Sequence, residues 1–213
     1  DAEKLSEPHP FSFSKIGDDG SLRVSIKALG DFTTTLGKTV KTGDTLRIQG
    51  PFGRFRHTGK RPQIWIAGGI GITPFLAWSH ALDAKSPSVD LFYCVKSRDA
   101  APHVQELEAI AQSKPNLNLH IIASSDGARL TAEHIAQTVQ SDLTQSKVSF
   151  CGPVSLRKAM QSNLGALGVS PRQFHFEEFE FRTGIGLRKL ASWLMNRRTS
   201  LPIPDAIKTK LTD

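Results

Sequence analysis

The chain has 213 residues, 38% hydrophobic and 22% charged, a composition that excludes a disordered protein and leaves room for one large domain or two small ones. Lysine and arginine number 27 against 20 acidic residues, and the resulting net charge of +7 points to anionic partners such as phosphorylated small molecules, nucleic acid or anionic lipid. Cys94 and Cys151 are the only cysteines, which excludes a disulfide scaffold and a four-cysteine zinc site and suits a reducing compartment.

Taken in chain order, the opening Asp1-Ala2-Glu3-Lys4 lacks the apolar core of a signal peptide. Residues up to Arg61 read as strand and turn. In Ser21–Leu29, Leu22, Val24, Ile26 and Ala28 alternate with Arg23, Ser25 and Lys27, and Thr45–Gln49 alternates again after Gly43-Asp44. Such strands predict a small antiparallel barrel or sandwich. Pro62 to Ser79 carries no charge and approaches the ~20 residues of a spanning helix. Its three glycines and two prolines make a strand, a glycine turn and a helix the better reading.

From Pro62 onward the pattern is strand, helix, strand, helix. Predicted strands fall at Ile64–Ala67, Val89–Val95, Leu117–Ala123, Val148–Cys151 and Gln173–Phe176. Predicted helices run through Phe75 to Leu82, Val104–Ala111, Ala132–Val139 and Pro153 to about Leu167. Short apolar strands alternating with helices imply a parallel sheet covered on both faces. After Arg182, Leu187, Leu190, Ala191, Leu194 and Met195 share one helical face, with Arg188, Lys189, Arg197 and Arg198 elsewhere. The expected organisation is therefore a partial β-barrel over 1–61, an α/β domain over 62–182, and an amphipathic helix with a tail over 183–213.

The richest chemical signal is Gly68-Gly69-Ile70-Gly71-Ile72-Thr73-Pro74. Glycines after a buried strand permit a tight turn and close approach of phosphate oxygens to the backbone. Thr73 suits an N-cap and Pro74 the first helical position, so the helix would present free N–H groups and its positive end to a pyrophosphate. A packing turn with no ligand is the alternative. The histidines at 57, 80, 103, 120 and 134 show no metal-binding spacing, and no nucleophile elbow is present. Clustered basic and aromatic residues of a nucleic-acid module are also missing from the pattern.

The landmarks together resemble the ferredoxin–NADP reductase superfamily, most closely the dehydrogenase domain of NADPH oxidases and bacterial ferric-reductase-like membrane proteins. They are His9-Pro10-Phe11-Ser12, Ile26-Lys27-Ala28-Leu29-Gly30-Asp31-Phe32-Thr33, Gly50-Pro51-Phe52-Gly53, the Gly68–Pro74 turn, Cys151-Gly152-Pro153 and Phe174–Phe179, in the family's order. The fold implied is a flavin-binding antiparallel barrel followed by a doubly wound, parallel-sheet NADP-binding domain.

The resemblance implies two cofactors, FAD and NADPH. Phe11 would lie against the flavin ring, the Ser12 hydroxyl near flavin N5, and His9 toward the FAD phosphates. Lys27 with the Gly30–Thr33 turn would form a second flavin element. Cys151, at a strand end, would lie near the nicotinamide, whereas Cys94 is read as a small buried hydrophobe. Phe179 matches the aromatic that covers the flavin, with Phe181 as competitor, and Glu177 matches an acidic position near it. Ser97 and Arg98, joined by Arg129, would take the 2′-phosphate of NADPH, although Asp99 stands close.

The implied activity is hydride transfer from NADPH to FAD, then release of single electrons to haem, ferric iron or oxygen. Close relatives pass them to a haem-bearing transmembrane domain, here outside the chain, which implies the cytoplasmic side of a membrane. In the family further barrel strands precede the His9 motif, so a fragment of a longer membrane protein or a shortened barrel is expected. Residues 187–198 suit contact with anionic lipid or a partner helix. A soluble ferredoxin or flavin reductase and a non-catalytic NADPH sensor remain as alternatives.

Overall fold

The computed structural model describes residues 8–57 and 59–178. Phe179, Phe181 and the segment 187–198 lie outside the described residues.

The N-terminal lobe contains two short antiparallel strands, β1 (Phe13–Ile16) and β2 (Leu22–Val24), paired through Phe13↔Val24 and Ile16↔Leu22. Helix α1 (Asp31–Thr39) follows, with Gly30 at its N-cap. Here the structure corrects three expectations. The strand expected over Ser21–Leu29 is paired only at Leu22–Val24, and Thr45–Gln49 has no regular structure. The Gly30–Thr33 turn is the start of α1. The first two share a cause: no layer among the described residues covers the apolar side of these segments. Leu46 and Ile48 are 63% and 61% exposed, so alternation has no buried face to enforce it.

The second lobe is a five-stranded parallel sheet built from β3 (Gln63–Gly68), β4 (Val89–Val95), β5 (Leu117–Ala123), β6 (Lys147–Cys151) and β7 (Phe174–Glu177). The strand order is β5-β4-β3-β6-β7, so the chain winds outward from β3 to β5, returns, and winds the other way through β6 and β7. A short 3₁₀ turn (Gly69–Ile72) leads from β3 into α2 (Thr73–Ala81). The other crossovers carry α3 (Val104–Ser113), α4 (Ala132–Thr138) and α5 (Val154–Ala166).

Alternation along β3 assigns the two faces. Ile64 and Ile66 join Phe92, Val148, Phe150 and Phe174 in a core closed by Leu130 and Ile135 near α4 and by Met160 and Leu164 of α5. Trp65 points the other way, where its ring lies 5.7 Å from Phe75 and 5.4 Å from Trp78 of α2. Both faces of β3 are therefore fully buried, which is why its sequence reads as a continuous apolar run. The doubly wound α/β class and the small antiparallel β element are those the sequence predicts.

Candidate functional site

The order reverses between β3 and β6, and in open α/β sheets the crevice beyond the carboxyl ends of such strands is where ligands bind. Three glycines bring the two strand ends together. A Cβ on Gly71 would lie 2.2 Å from the Cys151 carbonyl oxygen, one on Gly68 2.5 Å from Pro153 Cδ, and one on Gly152 2.9 Å from the Gly68 backbone. Gly69 is different: its φ of +55° needs glycine while the space around it is open. Part of the glycine signature is thus packing of β3 against the Cys151-Gly152-Pro153 segment, and part is an open, left-handed turn.

Thr73 is not the N-cap. The 3₁₀ turn runs directly into α2 through helical Ile72, and the Thr73 hydroxyl donates back to the Ile70 carbonyl at 3.2 Å. Pro74 occupies the first turn as expected. The start of the helical segment is therefore shifted back onto Gly69–Ile72, at the carboxyl edge of β3.

Ser12, Cys151 and Glu177 come together at this edge. The parallel register of β6 and β7 sets Cys151 beside Glu177. The Ser12 side chain hydrogen-bonds the Glu177 carboxyl, which burial pushes above the usual carboxylate range against that bond. Burial, reinforced by the Glu177 charge, pushes the Cys151 thiol up, so it stays protonated and is no nucleophile. Gly53, at φ +93°, brings a fourth segment in: a Cβ there would sit 3.8 Å from Glu177 Oε1. Phe52 beside it is 83% exposed, an aromatic face left open at the site.

The His9–Ser12 segment also meets α1. The His9 and Phe32 rings stack at 3.5 Å, and Phe11 lies 6.4 Å from Phe32. Phe32 stands in the Ile26–Thr33 landmark of the sequence without a role of its own there, because its ring becomes relevant only when the turn winds into a helix. Thr33 Oγ1 accepts from the Leu29 and Gly30 N–H groups, so its hydroxyl is spent on the helix start. The other first-turn N–H groups have no side-chain cap. Lys27 is exposed nearby in sequence.

Ser97 and Arg98 follow β4, and Arg129 follows β5, all on the carboxyl side of the sheet. The two loops are tied where Ser125 N–H donates to the Lys96 carbonyl at 2.8 Å. Arg98 forms an ion pair with Glu108 of α3. The pair rims an open cavity of about 320 Å³ walled by Ala111, Gln112, Leu119 and Ile121. Glu108 was not legible as a site residue, since only the crossover of α3 brings it to Arg98.

Together, a parallel sheet with a switch-point crevice, a glycine-lined helix start and a hydroxyl–carboxyl–thiol cluster define a dinucleotide-binding oxidoreductase module. Comparison with known proteins supports this class. Residues 65–162 match the family model described as the oxidoreductase NAD-binding domain. The carnitine monooxygenase reductase subunit of Escherichia coli is 32% identical over 84% of this chain and 54% of its own length. The toluate 1,2-dioxygenase electron transfer component of Pseudomonas putida is 29% identical over 79% of this chain and 53% of its own. In structure, the flavohem-like FAD/NAD-binding domain of nitric oxide dioxygenase from Vibrio cholerae matches with a TM-score of 0.68 at 22% identity, over 79% of this chain and 76% of that one. Residues 65–162 are thus similar to oxidoreductase NAD-binding domains, and the fold is that of the ferredoxin–NADP reductases. It spans about half the length of the curated relatives it matches.

Proposed function

We propose that this chain is the flavin-reducing part of an electron-transfer oxidoreductase, taking hydride from NADPH. The observation that carries this reading is the meeting of Ser12, Cys151 and Glu177 at the switch-point crevice, from segments 139 and 165 residues apart in sequence as the chain runs from residue 12 to 151 and 177. The residues present fit FAD at the redox end: an aromatic pair at Phe11 and Phe32, an open aromatic at Phe52, a hydroxyl at Ser12 and uncapped helix N–H groups in α1. When bound, FAD supplies the hydride acceptor and the ability to hand on electrons singly.

The chain's own residues do the positioning. Glu177 holds the Ser12 hydroxyl in place. Cys151, small and uncharged, gives the crevice a dry floor on which a nicotinamide can lie close to the backbone. Gly53 and Gly152 keep Cβ atoms out of that space. The Gly69–Ile72 turn offers backbone N–H groups to the pyrophosphate, with Gly68, Gly71 and Pro153 fixing the turn against β6. His9, Pro10, Lys27, Gly30 and Thr33 form the flavin-phosphate side. Ser97 and Arg98, with Arg129, hold the 2′-phosphate; Arg98 must leave Glu108 to do so.

Phe179 as the aromatic cover of the flavin, and residues 187–198 as a membrane-facing helix, complete this reading. The division into a flavin part (1–61), a nucleotide part (62–182) and a tail (183–213) belongs to it too. The acceptor in the first reading is the haem of a membrane domain, reached from the cytoplasmic side; no helix among the described residues is long and apolar enough to cross a membrane. A second reading, a reductase component serving an oxygenase, is favoured by what the two curated relatives are named for.

Reconstitution of the full chain with FAD, followed by stopped-flow absorbance with NADPH and NADH, tests the proposal. Rapid bleaching of the flavin is expected, faster at low nucleotide for NADPH. A flavin that stays oxidised with both nucleotides overturns it.

A further inference from the structure

Away from the crevice, the two lobes share a polar junction centred on Glu106 of α3. Its carboxylate receives Arg23 Nη2 of β2 at 2.9 Å, His80 Nε2 of α2 at 2.7 Å and His103 Nδ1, at the N-cap of α3, at 3.1 Å. Burial pushes the Glu106 carboxyl up, but the hydrogen bonds from Arg23, His80 and His103, together with the Arg23 charge, overcome this and hold it at about 2. His103 takes a left-handed backbone (φ +64°) to reach this place, which is uncommon for a residue with a Cβ. Lys114, at the other end of α3, caps the carbonyls of His80 and Leu82 and so fixes α2 against α3.

The junction continues into the N-terminal lobe. His103 Nε2 lies 2.8 Å from Ser25 Oγ, which donates to Ser14 Oγ at 2.9 Å. Ser14 accepts from Arg23 Nε at 3.1 Å and donates to the Arg23 carbonyl at 3.2 Å. Ser14 is fully buried, and it sits two residues beyond Ser12. The strand that presents Ser12 is therefore held twice against the nucleotide lobe, by Glu177 at Ser12 and by this junction at Ser14.

We infer that Glu106 is a positioning residue: through Arg23 and the His103–Ser25–Ser14 relay it clamps the Ser12 strand to the nucleotide lobe and sets the gap that hydride must cross. The inference rests on the function proposed above and goes beyond it, since Glu106 is none of the residues assigned there to a cofactor. A small change in that gap matters because hydride transfer requires the donor and acceptor in near-attack contact, where a 1 Å misplacement costs about 100-fold.

The relay also has two settings. Ser14 gives its proton to the Arg23 carbonyl and Ser25 gives its proton to Ser14, so Ser25 has none left for His103. Every bond is then made only when both His103 nitrogens carry protons. Loss of one turns both hydroxyls toward His103 and releases the Arg23 carbonyl. Arg23, His80 and Glu106 are the charged or titratable groups facing this relay.

Hydrogen–deuterium exchange on the unliganded full chain tests the clamp without any cofactor. In Glu106→Gln, amides of 13–24 should exchange about 10-fold faster, with β4 unchanged; equal protection of 13–24 in both proteins overturns the inference whatever the chain binds. Stopped-flow flavin reduction then tests its consequence. Glu106→Gln should slow hydride transfer about 10-fold at saturating nucleotide while half-saturation moves less than 2-fold. Faster exchange combined with an unchanged rate at saturating nucleotide also overturns it. Faster exchange in a chain that takes up no flavin or nucleotide upholds the clamp and defeats the proposed function instead. If Glu106→Gln does not fold, Ser25→Ala, which removes only the relay hydroxyl, decides by the same exchange measurement.

Discussion

The two lobes of this molecule obey the same strand periodicity and come out differently. In the nucleotide lobe, Ile64 to Ala67 are wholly buried and every predicted strand forms. Among the described residues up to His57 the one buried side chain is Ser14, and Ile16, Leu46 and Ile48 are all more than 60% exposed. Alternating apolar residues make a strand only when a second layer buries one face; without it, the backbone hydrogen bonds have no cooperative reason to form.

Paired substitutions sharpen this contrast, and the largest effect is expected in the core. Phe150→Ala, in the core on β6, should cost about 3–5 kcal/mol in a urea unfolding curve, whereas Leu46→Ala should stay within about 0.5 kcal/mol. Equal costs would mean that the N-terminal lobe has a core of its own. Gly71→Ala comes next: its methyl would meet the Cys151 carbonyl, so β3 and β6 must part. A stability loss of about 1–3 kcal/mol is expected, together with loss of nucleotide affinity by titration calorimetry. Gly69→Ala, strained by its φ but unobstructed, should cost less, about 1 kcal/mol.

A smaller change of opposite sign is expected at Glu177. Because burial raises its folded pKa above 4.5, the folded protein prefers the protonated form, and ionisation near neutral pH destabilises it. Glu177→Gln keeps the side-chain shape and a hydrogen-bonding atom for Ser12, so the unliganded melting temperature should rise by a few degrees at pH 7, of order 1 kcal/mol or less. The advantage should vanish as pH falls toward 4.5, which calorimetry across pH checks. The smallest effect on folding belongs to Glu108→Gln. The pair with Arg98 is largely exposed and worth little to stability, but freeing the guanidinium should raise the ratio of NADPH to NADH efficiency about 3- to 10-fold. An unmoved ratio would detach Arg98 from the 2′-phosphate.

Much of the nucleotide side was readable before any fold was known. Val89–Val95 and Leu117–Ala123 are found where their apolar runs place them, since a strand buried on both faces must be apolar throughout. The glycine turn was readable as a turn but not as a packing joint. That Gly71 faces the Cys151 carbonyl depends on β3 and β6 being neighbours although 78 residues of chain separate them, a fact of sheet order. Thr73 looked like a cap because its residue type suits one, and the 3₁₀ turn ahead of it removed the need. Glu106 gave no signal at all: on α3 it reads as an ordinary surface carboxylate, and its three partners come from β2, α2 and the loop before α3.

By itself, the sequence determined the class of fold, the order of strands and helices in the second lobe, and the residue types offered to a dinucleotide, because hydrophobic period and turn chemistry are local properties. Only the tertiary structure decided which strand ends meet, that Ser12 reaches Glu177 beside Cys151, and that Arg23 crosses to Glu106. Those contacts are fixed by strand order and lobe docking, where side chains distant in the chain share one buried surface.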